Sequence, residues 1–143
     1  MNIEIGKGLS NILFGMTEDK VIERLSTPDR ILTCREEGEE FLYNSLKIKL
    51  FFDFEENKRL YSIEVFNSDI TFLSTQVIGL PLKKLLSFMK ANSYEKYEVD
   101  CYDYFDTVFF EDCNTYFTLQ FNEVTSVEFS PLFKNDDEII WPN

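Results

Sequence analysis

From Leu46 to Phe54 the chain alternates: Leu46, Ile48, Leu50, Phe52 and Phe54 interleave with Lys47, Lys49, Phe51 and Asp53. A period of two predicts a strand with the first set on a buried face. Thr115 to Phe121 has the same pattern, with Phe117, Leu119 and Phe121 inward and Tyr116, Thr118 and Gln120 outward. Arg59 to Phe66 (Tyr61, Ile63 and Val65 inward) and Val124 to Phe129 each follow a short polar turn, Glu55 to Lys58 or Asn122 to Glu123, which predicts antiparallel hairpins. Further strands are expected at Arg30 to Arg35, Glu39 to Asn44, Tyr97 to Tyr102 and Thr107 to Glu111.

Two segments read as amphipathic helices instead. Thr17 is placed to cap the first, Glu18 and Asp19 suit its positive end, and Val21, Ile22 and Leu25 form its apolar face before Ser26, Thr27 and Pro28 stop it. Pro81 opens the second, whose face is Leu82, Leu85, Leu86 and Met89, ending at Ala91 and Asn92.

The chain also matches itself. A shift of 64 residues sets Gly79 on Gly15, Leu85 on Val21 and Met89 on Leu25. A shift of 67 sets Cys101 on Cys34, Phe117 on Leu50 and Leu119 on Phe52, and 64 again sets Ser126 on Ser62 and Glu128 on Glu64. These matches predict an α+β fold: a tandem repeat of one helix followed by antiparallel strands, joined as one curved antiparallel sheet with the helices on one face. The expected organisation is a single compact domain over 1–143, with repeats at 12–68 and 76–131, a join near Asn67 to Gln76 and a C-terminal tail at 132–143. Units of about 65 residues are marginal alone, so the two should pack together and leave the opposite sheet face open to solvent.

Composition then narrows the chemistry. With 14 Lys and Arg against 26 Asp and Glu, the net charge of −12 repels nucleic acid and anionic membrane and attracts basic surfaces. The sequence contains no His, which removes every Ser-His or Cys-His dyad and points away from an enzyme. The three Cys (Cys34, Cys101, Cys113) are odd in number and widely spaced, which indicates neither a zinc site nor a disulfide framework and predicts buried reduced thiols. Met1 to Ser10 lacks the apolar core of a secretory signal, so the expected location is cytoplasmic. Gly6 and Gly8 precede no suitable helix for a phosphate loop, and no cofactor or metal is expected.

Phe14, Gly15, Met16 and Thr17, running through Val21 and Leu25 to Pro28, resemble the signature of the small outer-membrane assembly lipoproteins (SmpA/OmlA-type). The doubled helix-and-strand pattern resembles the beta-lactamase inhibitor proteins, whose two such units form a concave sheet that grips a target enzyme. In the absence of a lipobox Cys, the resemblance implies an inhibitor-like role on the sheet surface rather than a lipoprotein role.

On the outward positions, aromatics are interleaved with carboxylates, a mixture suited to protein recognition because aromatic rings give contact area while carboxylates engage Arg and Lys. The candidate partner-binding residues are Phe51, Asp53, Glu64, Tyr116 and Glu128, with Tyr102, Asp103, Tyr104 and Asp106 from the run Asp100 to Asp106. That run matches no calcium loop, and Glu36 to Glu40 is the corresponding acidic turn of the first unit. The expected function is an acidic binding protein that inhibits a basic partner enzyme, an immunity protein neutralising a cognate bacterial toxin. The alternatives are a small-molecule-binding or structural module on the open sheet face, and a hydrolase built on the pair Asp103 and Asp106.

Overall fold

The structure is a computed structural model that describes residues 1–142. Strands at Asn2–Glu4 (β1), Gly8–Leu9 (β2) and Ile12–Leu13 (β3) precede a helix at Glu18–Leu25 (α1). Four strands follow: Arg30–Cys34 (β4), Gly38–Tyr43 (β5), Ile48–Asp53 (β6) and Arg59–Val65 (β7). Thr71–Phe72 (β8) leads to a second helix at Leu82–Ala91 (α2). Then come Glu98–Cys101 (β9), Asp106–Phe110 (β10), Thr115–Gln120 (β11), Glu123–Phe129 (β12), and the hairpin Phe133–Asn135 (β13) and Glu138–Ile139 (β14).

The described residues form three sheets. The largest has eight antiparallel strands in the order β4-β5-β6-β7-β12-β11-β10-β9. Its two halves meet at β7 and β12, where Val65 pairs with Val127 and Glu64 with Glu128. A four-stranded sheet in the order β3-β2-β1-β8 joins the N-terminus to the segment before α2, with β1 parallel to β8. The third sheet is the β13–β14 hairpin.

This overturns the expected α+β fold of two helix-then-strand repeats making one sheet. The protein is mostly β, the two α-helices among the described residues are only 8 and 10 residues long, and two further sheets were not foreseen. Residues ahead of the expected first repeat (β1, β2), its first two residues (β3) and the expected join (β8) form the four-stranded sheet, where Ile3, Leu9, Ile12 and Phe72 are buried. Such two- and three-residue strands are too short to show a period, and the β1–β8 pairing joins residues 69 positions apart.

The single core holds one face of the large sheet, including Phe41, Leu50, Phe52, Ile63, Phe117 and Phe129, together with Val21 of α1, Leu85 and Met89 of α2, and Phe72 of β8. Phe117 meets Phe72 and Phe110 edge-on at 5.5 and 5.8 Å, so it bonds the four-stranded sheet to the eight-stranded one. Thr17 caps α1 as the sequence predicts, accepting the Lys20 N–H at 3.3 Å. In α2 the cap comes from a distant turn: Asn122 Oδ1 accepts the Leu82 N–H at 3.2 Å.

Several inward assignments are corrected. Phe121 sits with Asn122 at positive φ in the β11–β12 turn and is fully exposed, because the hairpin reverses one residue earlier than the alternation implies. Phe54 leaves the strand for a 3-10 turn, and a bulge after Phe51 in the β6–β7 pairing puts Leu60 in the core in place of Tyr61. The thiols are all free, but only Cys113 is buried, while Cys34 is half-buried and Cys101 exposed. The tail turns back on the body: Leu132 packs on Gly6, and Trp141 lies between Gly15 and the Arg59 guanidinium, 4.3 Å from the ring centroid. Asn143, at the end of the expected tail, lies outside the described residues.

Candidate functional site

The face of the large sheet opposite the core carries one continuous row of side chains, one from each strand. In spatial order they are Arg30, Leu42, Lys49, Glu64, Glu128, Tyr116, Phe109 and Glu98. Seven spacings of about 4.8 Å make the row about 34 Å long. None of the eight is buried. The row is polarised: Arg30 and Lys49 stand on one half, two carboxylates in the middle, and the Tyr116 and Phe109 rings, stacked at 4.3 Å, on the other half.

The middle is the most constrained part. Glu64 and Glu128 are directly opposed across β7 and β12. Ser62 Oγ donates to Glu128 Oε1 at 3.1 Å and Ser126 Oγ donates to Glu64 Oε2 at 3.2 Å, so each serine reaches diagonally to the carboxylate of the other strand. Both serines are buried. Like charges opposed in this way repel, and Glu64 shows it: burial first, and the Glu128 charge second, push its carboxyl above the ordinary range, against the opposing pull of Lys49 and the Ser126 hydroxyl. Lys49 is also held over the Phe66 ring at 5.2 Å.

Of the expected site residues, Phe51, Asp53, Glu64, Tyr116 and Glu128 share this solvent-facing side. Phe51 lies between Glu40 and Ser62 in the pairing, while Asp53 pairs with Arg59 and accepts the Glu55 N–H at 2.9 Å. Tyr102, Asp103, Tyr104 and Asp106 lie elsewhere, in the β9–β10 hairpin end, where Tyr102 stacks on Phe105 at 4.7 Å and Tyr104 is 87% exposed. That hairpin is three strands from β12, about 14 Å sideways, and at the opposite end of the strands from Glu128, since Asp106 pairs with Leu119. Asp106 is instead engaged with the exposed Cys101 thiol, which its hydrogen bond and charge push upward. The two acidic turns, Arg35–Glu37 and Tyr102–Phe105, fall at diagonally opposite corners of the sheet, because eight antiparallel strands reverse direction seven times.

Arg30, Leu42, Lys49, Phe109 and Glu98 of the row, and the buried Ser62 and Ser126 beside it, were not among the expected site residues. The signal for the serines was present in the 64-residue spacing that relates Ser62 to Ser126 and Glu64 to Glu128.

No protein-family model and no curated protein matches the chain. Among solved structures, the chain is similar to an extracellular protein containing a SCP domain from Bacillus anthracis, at 13% identity and a TM-score of 0.55, over 92% of this chain and 48% of that one. It is also similar to a cysteine-rich secretory protein from Staphylococcus aureus, at 12% identity and a TM-score of 0.47, over 82% of this chain and 44% of that one. The chain therefore spans about half the length of the structures it matches. The expected cytoplasmic location is withdrawn, since the Bacillus anthracis protein that shares the fold is described as extracellular. Among the described residues no helix is long and apolar enough to cross a membrane.

Proposed function

We propose that the protein is a non-catalytic, extracellular binding domain that holds a basic protein, an enzyme it restrains, against the solvent-facing side of its eight-stranded sheet. The observation that carries this reading is the central pair Glu64 and Glu128, held by Ser126 and Ser62 and flanked by the stacked rings of Tyr116 and Phe109. A cationic side chain set between the two carboxylates would relieve their mutual repulsion while resting on an aromatic surface. The net charge of −12 would steer such a partner in from a distance. The inhibitor-like role implied by the sequence resemblance and the extracellular setting of the Bacillus anthracis structure both enter as parts of this proposal. The toxin-neutralising form of the reading adds that the partner is encoded beside this chain.

The test is titration calorimetry of the purified protein with the product of the adjacent gene, with that product's activity followed in parallel. Affinity should fall at least tenfold between about 0.1 M and about 1 M salt, as the Debye length drops from about 10 Å to about 3 Å. Tyr116→Ala and Glu128→Lys should each abolish most of the binding. A complex indifferent to salt and to both variants, or no complex at all, overturns the reading.

A further inference from the structure

A second surface feature lies away from the central carboxylates. Between β10, the turn after it and the C-terminal hairpin is an open hollow of about 540 Å³. Its apolar lining includes Phe109, Phe133 and Ile140, and the last two are 41% and 49% exposed, more than side chains of this size keep in a satisfied core. Its charged lining consists of Glu111, Asp112 and Asp136, with no Lys or Arg among the described residues that line it. Lys134, next to it in sequence, is turned to Glu138 at 3.9 Å, and Lys96 lines an adjoining hollow with Glu111 without an ion pair to any of the three carboxylates among the described residues. An apolar floor under a rim of one charge sign is complementary to a ligand that combines cationic groups with an apolar anchor.

The backbone decides between a small amine and a peptide. β13 lines the hollow through Phe133 and Asn135 and belongs to a sheet of only two strands, so one of its hydrogen-bonding edges is unpaired. An extended chain can use such an edge, taking main-chain hydrogen bonds while alternate side chains point into the hollow and out to solvent. We propose that this hollow docks an extended cationic peptide segment, with a Leu- or Phe-sized side chain seated among Phe109, Phe133 and Ile140 and basic side chains on Glu111, Asp112 and Asp136. The proposal does not rest on the sheet-face function: the hollow shares Phe109 with the row, but none of the row's charged residues.

The test is fluorescence polarisation with a labelled peptide of alternating Arg and Leu. Glu-for-Arg and Gly-for-Leu peptides serve as controls, and circular dichroism checks each variant's fold. The Arg-Leu peptide should bind at micromolar concentration, and both control peptides should bind at least tenfold more weakly. The pair Asp112→Asn with Asp136→Asn should weaken binding at least tenfold, and Ile140→Ser at least fivefold. The pair Glu4→Gln with Glu23→Gln, which removes the same charge from exposed positions on β1 and α1, should change it less than twofold. Failure of the Arg-Leu peptide to bind, indifference to Ile140→Ser, or equal losses from the two charge-removing pairs overturns the proposal. The last result would show a general response to net charge.

Discussion

Ser62 Oγ donates a 3.1 Å hydrogen bond to Glu128 Oε1 across the junction between the two halves of the large sheet. Its counterpart from Ser126 to Glu64 crosses it diagonally. Each serine finds its acceptor on the other strand, so the bonds tie β7 to β12 where only three residue pairs are in register.

Removing one of these donors should be costly for so small a change. Ser126 is 3% exposed, and Ser126→Ala takes a hydrogen bond from a carboxylate that has few other partners. The expected loss is about 1.5 kcal/mol, the scale of a hydrogen bond to a charged group, read from the urea midpoint with an unchanged slope. A double cycle with Glu64→Gln should show coupling; additive losses would mean that the bond contributes nothing.

Glu64 also sets a pH dependence. Its folded-state carboxyl is raised by burial and by Glu128, so the native chain holds that proton more tightly than the unfolded chain. The stability it contributes is present at low pH and is lost as pH rises through a window just above the ordinary carboxylate range. Glu64→Gln should therefore melt about 2 °C higher than the parent at about pH 7, with the gap closing towards about pH 4. A gap that widens on acidification contradicts the assignment.

Phe117 packs edge-on against Phe72 of the four-stranded sheet and against Phe110 on the neighbouring strand of its own sheet. Phe117→Ala should cost about 3–5 kcal/mol, as for other fully buried aromatics. Because the loss reaches β8, amide exchange at Phe72 should accelerate along with that at Phe110.

The lone Trp reports on the tail. Gly15 has φ +92°, and a Cβ there would stand 3.1 Å from Trp141. Gly15→Ala is therefore strained in its backbone and crowded at once, and should destabilise by about 1 kcal/mol or more. It should also lift the indole off Arg59, so the tryptophan emission should shift to longer wavelength before any unfolding. Unchanged emission would mean that the tail is not seated there.

Local rules determined much of this protein. Period-two alternation in 46–53 and 115–120 separates core side chains such as Leu50 and Phe117 from outward ones such as Phe51 and Tyr116, because a strand's side chains alternate whatever it pairs with. The Thr17 cap of α1 is local in the same way, and Pro81 marks the start of α2 although its capping acceptor, Asn122, comes from a distant turn. Tertiary structure alone decided what lies beside what. Nothing local in Ile3 or Phe72 announces that they share a sheet, and a serine on a strand reads as surface until Ser62 and Ser126 are found buried beside opposed carboxylates. The run from Tyr102 to Asp106 looked like part of one patch because it is rich in the right residues, yet the order of strands carries it to the far edge of the sheet. Alternation is a property of neighbouring residues and survives in any fold, whereas adjacency between residues about 64 apart exists only once the core has chosen which strands meet.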